Sequence, residues 1–483
     1  MNFITLFFSD DRKLDDWLSP ILVKELRQGM RARVFVISFL LLQLFLIVLV
    51  LGNVAAQDDR STLEFQNNFF WVILGFALLG LMPLRGLVAI SLEVKNHTME
   101  TIMLTRLTAW RVVFGKWSAL FAQSLLLVSA VLPYVVLRYF IGGDDVVSDF
   151  EWILFMLWMS GLLIAACIGV SALGNFVIRI VILVCIAILT LTAIGNYESI
   201  GAGLDNAWEI VAWLAVFGFF ISAILFELTA TGIAPASENH ALRLRLLALA
   251  FLLVAWGLAR LAQSDFTPGI CIPAIVLVAV CYFDLAEKPR LLPRMVRSMA
   301  QRGWPGKIAA IFLLPGWPSA LLFSIVVVPF AVWLYCATAK LDPDPGWLLP
   351  LFSTFGSIFT PIVICHFFWP RNKQVLLMVF IYNLILFGLG SILGGFADLT
   401  HTPMNKVLAF LPGLPVFFTG LASDSTKDYT PLCLVGNAIT LVILLFALLV
   451  GSRRYFRELL ALLRSAPDVK PSPDQPVPEA EIK

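Results

Sequence analysis

The sequence predicts an all-α, polytopic integral membrane protein with about twelve transmembrane helices and both termini in the cytoplasm. The composition is the first reason, because 60% of the 483 residues are hydrophobic and only 14% are charged, whereas soluble domains carry about 25% charged residues. The second reason is that apolar runs of about 20 residues, the length that crosses the hydrocarbon core, recur along the chain. The third is that basic residues are concentrated between alternate runs, as the positive-inside rule requires.

Twelve apolar runs are predicted to be spans. They cover residues 34–55, 69–92, 113–137, 152–173, 180–196, 208–228, 246–262, 269–286, 313–337, 347–369, 375–396 and 432–451. With the N-terminus in the cytoplasm, all but six of the 34 Lys and Arg residues fall on the cytoplasmic side, the exceptions being Arg60, Arg138, Arg260, Lys340, Lys406 and Lys427. A miscounted span would scramble this alternation, so the asymmetry supports an even number of spans.

The chain divides into four predicted segments. These are a cytoplasmic amphipathic elbow segment (1–33), two six-span membrane modules (34–240 and 241–451) and a cytoplasmic, largely disordered tail (452–483). In each module a cytoplasmic loop separates the second and third spans, 93–116 and 287–308, and both loops begin with Glu and end in Gly-Lys. Internal duplication is common in transporters, but a Thr-x-Glu sequence in the first loop is absent from the second, so duplication and chance both remain open.

The residues before the first span predict a helix that lies in the membrane interface. Ser19 is a good N-cap, and Pro20 suits the first helical position. Apolar residues fall on one side of this helix and polar or basic residues on the other: Ile21, Leu22, Leu26 and Met30 against Lys24, Arg27, Gln28 and Arg31. That pattern is typical of a helix with its basic side toward lipid head groups. The alternative is a basic flank that only sets topology.

The longest polar interruption of the first half extends from Glu93 to Lys116. Within it, Thr98 can cap a helix whose first turn contains Glu100, where a carboxylate suits the helix dipole. Three residues at i, i+3, i+4 spacing give this short helix an apolar face: Met99, Ile102 and Met103. A short amphipathic helix between two spans is suited to bind in a groove of a soluble partner. A solvated loop with no partner is the alternative.

The order of residues in this stretch resembles the cytoplasmic loop of ABC-2 type transporter permeases, the transmembrane subunits of ABC exporters. The matching residues are Glu93, Thr98, Glu100, Thr105, Leu107, Thr108, Gly115 and Lys116. His97 and Arg106 depart from the pattern, which usually has Gly and Pro at these positions. The string SPILVKELRQGMRAR resembles the N-terminal elbow helix of the same family, which usually has Asn where this chain has Ser19.

The resemblance implies a permease of the cell (inner) membrane that works with a separate cytoplasmic ABC ATPase and with a second permease module, from a homodimer, a second chain or the second half of this chain. The ATPase-coupling loop would comprise Glu93, Thr98, Met99, Glu100, Ile102, Met103, Thr105, Leu107, Gly115 and Lys116. The elbow helix would comprise Pro20, Lys24, Glu25, Arg27 and Arg31. No cofactor and no nucleic-acid partner is expected, and neither the substrate nor a charged substrate path is indicated.

The chain has no motif that would bind ATP by itself. The sequence GWPGK at Gly303–Lys307 lacks the spacing and the hydroxyl residue of a P-loop, so ATP hydrolysis would belong to another subunit. The four histidines have no metal-ligand spacing, and we predict neither catalytic nor metal-binding residues. The alternative function is a polytopic membrane enzyme that acts on a lipid-linked substrate at the outer face. Its support is Asp58-Asp59, a carboxylate pair that suits a hard cation.

Overall fold

A computed structural model describes somewhat more than half of the chain. The described residues are 20–55, 60–91, 93, 108–142, 146–172, 179, 183, 207–234, 239–262, 268–285, 291–301, 303–338, 378, 381–382, 385, 435, 439, 442, 446 and 450–465. Within these ranges the secondary structure is helical throughout and contains no strand. The all-α prediction is therefore confirmed for the described part of the chain.

Thirteen α-helices and one π-helical segment occupy the described ranges. They are α1 (Pro20–Arg31), α2 (Arg33–Ala55), α3 (Arg60–Gly75), the π segment (Phe76–Leu81), α4 (Met82–Ala89), α5 (Ala109–Gly142), α6 (Val146–Ala172), α7 (Ala207–Ile233), α8 (His240–Ala262), α9 (Pro268–Leu285), α10 (Pro293–Ala300), α11 (Trp304–Leu313), α12 (Trp317–Thr338) and α13 (Arg453–Ser465). Only Ala32 separates α1 from α2, so the elbow segment leads directly into the first span.

Six stretches of helix in the described residues are long and apolar enough to cross a membrane. They are Arg33–Gly52, Asn68–Ala89, Ala109–Phe140, Val146–Ala172, Trp208–Ile233 and His240–Ala262, and the bent pair α11–α12 makes a seventh if it counts as one span. The predicted span 269–286 corresponds to α9, whose apolar part is shorter. The predicted spans 180–196, 347–369, 375–396 and 432–451 lie largely outside the described residues. A total of twelve spans stays a prediction.

The first span shows how these helices meet their surroundings. In α2 the apolar residues extend around the whole circumference, and Leu40, Leu44 and Leu51 are each more than half exposed. Leu42 and Leu46 on another side are buried. A helix that is apolar on every side and still exposes much of its surface is suited to lipid rather than water.

The helices form two compact units. The first contains residues Met1–Ala202 and Leu214–Pro235, and the second contains Gly203–Trp213 and Ala236–Lys483. In the first unit, α4 packs closely on α6 at Gly86, where an added Cβ would lie 3.2 Å from Cys167 Cβ. A side chain at this position would need its neighbours to shift by a few tenths of an ångström, so glycine favours the close approach of the two helices.

The π segment interrupts the second span and leaves one backbone carbonyl to be satisfied by a neighbouring helix. Its hydrogen bonds run from residue i to residue i−5, as the Met82 N–H to the Ala77 carbonyl shows. The next donor in this series would be residue 83, but Pro83 has no N–H, so the carbonyl of Leu78 lacks its backbone partner. Ser160 of α6 donates to that carbonyl through its hydroxyl at 2.8 Å. A side chain of a neighbouring helix thus satisfies the irregular backbone.

In the second unit, α11 and α12 meet at an angle of 101°. The bend contains Pro315 and Gly316, and Gly316 has a φ of 122°, a conformation that favours glycine. The predicted span 313–337 therefore corresponds to α12, and its first residues belong to the bend. A separate core packs α10, α11 and α13 together and includes Val296, Ala300, Ala310, Leu314, Tyr455, Leu459 and Leu463.

Candidate coupling site

The elbow helix α1 packs against the beginning of α5. Ile21, Glu25 and Gly29 follow one another at a spacing of four residues, so they share one face of α1. An added Cβ at Gly115 would lie 2.9 Å from Ile21 Cγ2, and one at Gly29 would collide with the side chain of Gln123. Two glycines, one from each helix, therefore allow a close parallel approach of α1 and α5.

A buried lysine is placed at this contact. Lys116 of α5 is 4% exposed, and its Nζ lies 2.8 Å from Glu25 Oε1 and 2.8 Å from Glu93 Oε1. The carboxylates are 24% and 16% exposed, so each retains some contact with solvent. Removing an ammonium group from water is costly unless opposite charge and hydrogen bonds replace the water. Two carboxylates supply both, which explains why a lysine is buried here.

This cluster brings together three residues that the sequence placed in two separate motifs. Glu25 belongs to the elbow helix, Glu93 begins the 93–116 loop and Lys116 ends it. Lys116 thus joins the two ends of the loop to each other and joins its own end to Glu25 of α1. The other loop candidates Thr98, Met99, Glu100, Ile102, Met103, Thr105 and Leu107 lie outside the described residues.

The remaining elbow residues lie on the surface of α1. Pro20 is its first residue, and Lys24, Arg27, Gln28 and Arg31 are exposed, as expected for the polar side of an amphipathic helix. Met30, predicted on the apolar side with Ile21, is 36% exposed. The apolar side of an interfacial helix faces lipid, so the placement of Met30 stays a prediction.

Arg85 is a further member of this region that the sequence did not single out. Its guanidinium donates from Nη1 to Gln123 Oε1 and from Nη2 to the Gly29 carbonyl at 3.2 Å. It also lies 5.4 Å from the ring of Phe35, in the first turn of α2. One arginine therefore joins the end of α1, the start of α2 and the middle of the predicted loop-flanking helix α5. The sequence showed only a basic residue near a predicted cytoplasmic end.

A second buried ion pair lies near the opposite end of α5. Arg138 and Asp149 are 4% and 7% exposed, with Arg138 Nη1 3.4 Å from Asp149 Oδ2. The guanidinium also lies 4.3 Å from the ring of Phe70 and 5.5 Å from that of Trp71. At 1.5 Å per residue, Arg138 is about 33 Å along α5 from Lys116. Buried ion pairs therefore hold α5 near both of its ends.

The second unit contains a different buried cation. Arg245 of α8 is fully buried, and its Nε donates to Asp284 Oδ2 of α9 at 2.8 Å. Its Nη1 donates to the carbonyls of Phe312 and Leu314, where α11 ends. Asn239 donates from Nδ2 to the intervening carbonyl, that of Leu313, at 3.3 Å. These donors replace the helical partners that the three carbonyls lose at the 101° bend.

The alternative enzymatic site has no counterpart in the described structure. Asp58 and Asp59, which support the enzyme alternative, lie outside the described residues. Among the residues that the structure describes, no three His, Cys, Asp or Glu side chains are grouped so that they could hold a metal ion. The charged clusters that the structure describes contain ion pairs that join neighbouring helices.

In comparisons with known proteins, no protein family, no curated protein and no solved structure matches this chain. The resemblance to ABC-2 permeases consequently remains an expectation based on the residues of the elbow and the loop. Of those residues, α1 and the two ends of the loop are the part whose arrangement the structure describes.

Proposed function

We propose that this chain is the membrane-spanning permease subunit of an ATP-driven ABC transporter, acting as an exporter. A separate cytoplasmic ATPase would bind the 93–116 loop. The observation that carries the proposal is the cluster of Glu25, Glu93 and Lys116, in which Lys116 joins the two ends of the loop to each other and joins its own end to the elbow helix. This is the arrangement that a coupling loop requires.

The reason is mechanical. Glu93 follows the span that ends at Ala89, and Lys116 lies in the second turn of the span that begins at Ala109. A partner that displaces the loop would therefore act on both spans together, and through Glu25 on α1. Binding can shift such an arrangement only if the partner binds one conformation better than the other. A closing ATPase dimer is a partner of this kind.

The rest of the chain is compatible with a permease that depends on a separate ATPase subunit. The sequence has no P-loop, so the chain would obtain its energy from a separate subunit. Its apolar helices would place it in the cell membrane as a multi-pass protein. A second permease module would come from another copy, from a related chain or from the second six-span segment.

The test is recovery of an ATPase with the tagged, full-length protein in a mild detergent. The parent would be compared with Glu100→Lys/Met103→Asp, which reverses a charge and places a carboxylate on the predicted apolar face of the loop helix. The matched control is Glu151→Lys/Phe150→Asp, which makes the same kinds of change at two exposed residues near the start of α6, on the predicted outer side. ATP hydrolysis in the eluate and the identity of the bound subunit would be measured.

We expect the parent and the control to retain a P-loop ATPase and the loop variant to lose it. Loss from both variants would mean that the loop is not the binding site. If no ATPase is recovered with the parent, the permease proposal fails. Replacement of Asp58 and Asp59 by alanine would then test the outer-face enzyme.

A further inference from the structure

The last described helix, α13, has its apolar face covered by protein. Tyr455, Leu459 and Leu463 are 7%, 0% and 6% exposed and belong to the core shared with α10 and α11. An amphipathic helix that lies on a bilayer buries its apolar face in lipid. In α13 that face is already occupied, so only another face is available for a partner.

The opposite face of α13 is basic. Arg453, Arg457 and Arg464 are exposed and follow one another at helical spacing, with Leu460 between the last two at 44% exposure. The fourth arginine, Arg454, lies 3.6 Å from Glu458, the one acidic residue in this helix. The charge of Arg454 is therefore partly offset, while Arg453, Arg457 and Arg464 form the arginine stripe.

Exposed apolar residues in helical conformation precede the arginine stripe along the chain: Val435, Ile439, Val442, Phe446 and Val450. A turn at Ser452 follows, and α13 then begins with the exposed Arg453. The exposed residues therefore change from apolar to basic along this part of the chain. Such a change is expected where a lipid-facing surface leaves the acyl chains and reaches the head groups.

The neighbouring helices have the same character. Arg294 and Arg297 of α10 are exposed, and Trp304 at the start of α11 is 77% exposed. Tryptophan is enriched at the boundary between membrane and water, where its ring and its N–H both find suitable surroundings. The core that packs α10, α11 and α13 together therefore joins helices that each expose basic or aromatic residues of interfacial type.

We propose that the arginine stripe of α13 binds the phosphate groups of anionic lipids in the cytoplasmic leaflet. A guanidinium matches a phosphate with two parallel hydrogen bonds and retains its charge at any physiological pH. Arginines near an anionic leaflet each add to the attraction, and the effects accumulate along a stripe. The proposal is independent of the coupling loop and of an ATPase.

The test uses the full-length protein in detergent and native mass spectrometry to count bound lipids during titration with phosphatidylglycerol or phosphatidylcholine. The stripe variant is Arg453→Gln/Arg457→Gln/Arg464→Gln. The matched control, Arg294→Gln/Arg297→Gln/Arg454→Gln, removes the same charge from the same group of packed helices but outside the stripe. We expect the stripe variant to bind phosphatidylglycerol at least about tenfold more weakly. The control should weaken binding by clearly less than the stripe variant does, because Arg294 and Arg297 lie on another helix and Arg454 lies beside Glu458.

Two further measurements make the result specific. Binding of phosphatidylcholine should be the same in all three proteins, and binding of phosphatidylglycerol to the parent should weaken as NaCl is added. The variant Arg453→Lys/Arg457→Lys/Arg464→Lys keeps the charge without the planar fork and should fall between the parent and the glutamine variant. It also shows that substitution in the stripe leaves the protein folded.

Three outcomes would overturn the proposal. Unchanged phosphatidylglycerol binding in the stripe variant would show that the stripe does not bind lipid. Equal losses in the stripe variant and the control would assign the effect to net charge. If lipid binding is unchanged but a copurifying acidic protein is lost, the stripe is a protein-binding surface.

Discussion

The two units each bury a cation, but Lys116 and Arg245 meet their environments differently. Lys116 binds two partly exposed carboxylates that come from separate segments of the chain. Arg245 is fully buried and binds one carboxylate and two backbone carbonyls at a helix bend. The ammonium group is a compact charge on a flexible stem, whereas the guanidinium directs its donors rigidly. The first cluster therefore suits segments that exchange partners, and the second suits a fixed corner.

Removing Arg245 should have the largest effect. Arg245→Met leaves Asp284 buried without its partner and two carbonyls without donors, and we expect a loss of about 3–5 kcal/mol in unfolding free energy. Unfolding of the purified protein in detergent measures this loss. Arg243→Met, at an exposed position two residues earlier, should change stability by less than about 0.5 kcal/mol. The double variant Arg245→Met/Asp284→Leu should regain much of the loss, and failure to do so would contradict the ion-pair explanation.

Removing Lys116 should have a smaller effect. In Lys116→Met, solvent can reach Glu25 and Glu93, so we expect a loss of about 2 kcal/mol, between the values for buried and surface pairs. Glu25→Gln should cost about half as much, because Glu93 would still neutralise the lysine. The same unfolding measurement applies, with Lys24→Met as the exposed control. A loss equal to that of Arg245→Met would show that burial does not distinguish the two clusters.

Glycine substitutions test whether close helix packing is specific to the first unit. Gly115→Ala would place a methyl group 2.9 Å from Ile21 Cγ2, and overpacking of this kind costs about 1–2 kcal/mol. Gly257 in α8 has no atom within 4 Å of an added Cβ, so Gly257→Ala should stabilise its helix by up to about 1 kcal/mol. Opposite signs in the unfolding measurement are expected. Equal signs would mean that the α1–α5 approach tolerates a side chain.

The smallest effect concerns the backbone carbonyls that helix irregularities leave without partners. Ser160 serves the Leu78 carbonyl in the first unit, whereas Arg245 serves the Leu314 carbonyl in the second. Ser160→Ala should therefore cost only about 1 kcal/mol. Ser129→Ala, which removes an exposed bond to its own helix, should cost less than about 0.5 kcal/mol. A loss near 3 kcal/mol for Ser160→Ala would mean that the hydrogen bond to the π segment contributes more to stability than an ordinary hydrogen bond does.

The sequence predicted local features of this fold well. The first predicted span, 34–55, differs by one residue from α2. The agreement is close because the length and the hydropathy of a helix depend on residues that are contiguous in the sequence. The bend before α12 was missed, although Pro315-Gly316 is a local turn signal, because averaging over a long apolar run conceals two residues. Prediction from local sequence patterns is weakest where a single residue alters backbone hydrogen bonding. Pro83 is an example, because it has no N–H to donate to the Leu78 carbonyl.

The partners of the charged residues could not be predicted in the same way. Lys116 and Glu25 are 91 residues apart in sequence, and Arg245 and Asp284 are 39 apart. Both motifs of the first pair were recognised from their own residues, but nothing within either one specifies a contact with the other. Arg245 and Asp284 were interpreted as flanks of predicted spans. The coupling role of the 93–116 loop, with Thr98 and Glu100 at its centre, stays a prediction.

The two ion-paired residues of α5 also relate the length of that helix to the thickness of the bilayer. Lys116 and Arg138 are about 33 Å apart along the axis, close to the thickness of a bilayer's hydrocarbon core. Because each end is held by neighbouring helices, α5 cannot slide to follow a thinner bilayer and must tilt together with them. Hydrophobic mismatch costs a fraction of a kcal/mol per Å. Membrane thickness would therefore act as a mechanical load on the elbow helix and on the loop that Lys116 closes.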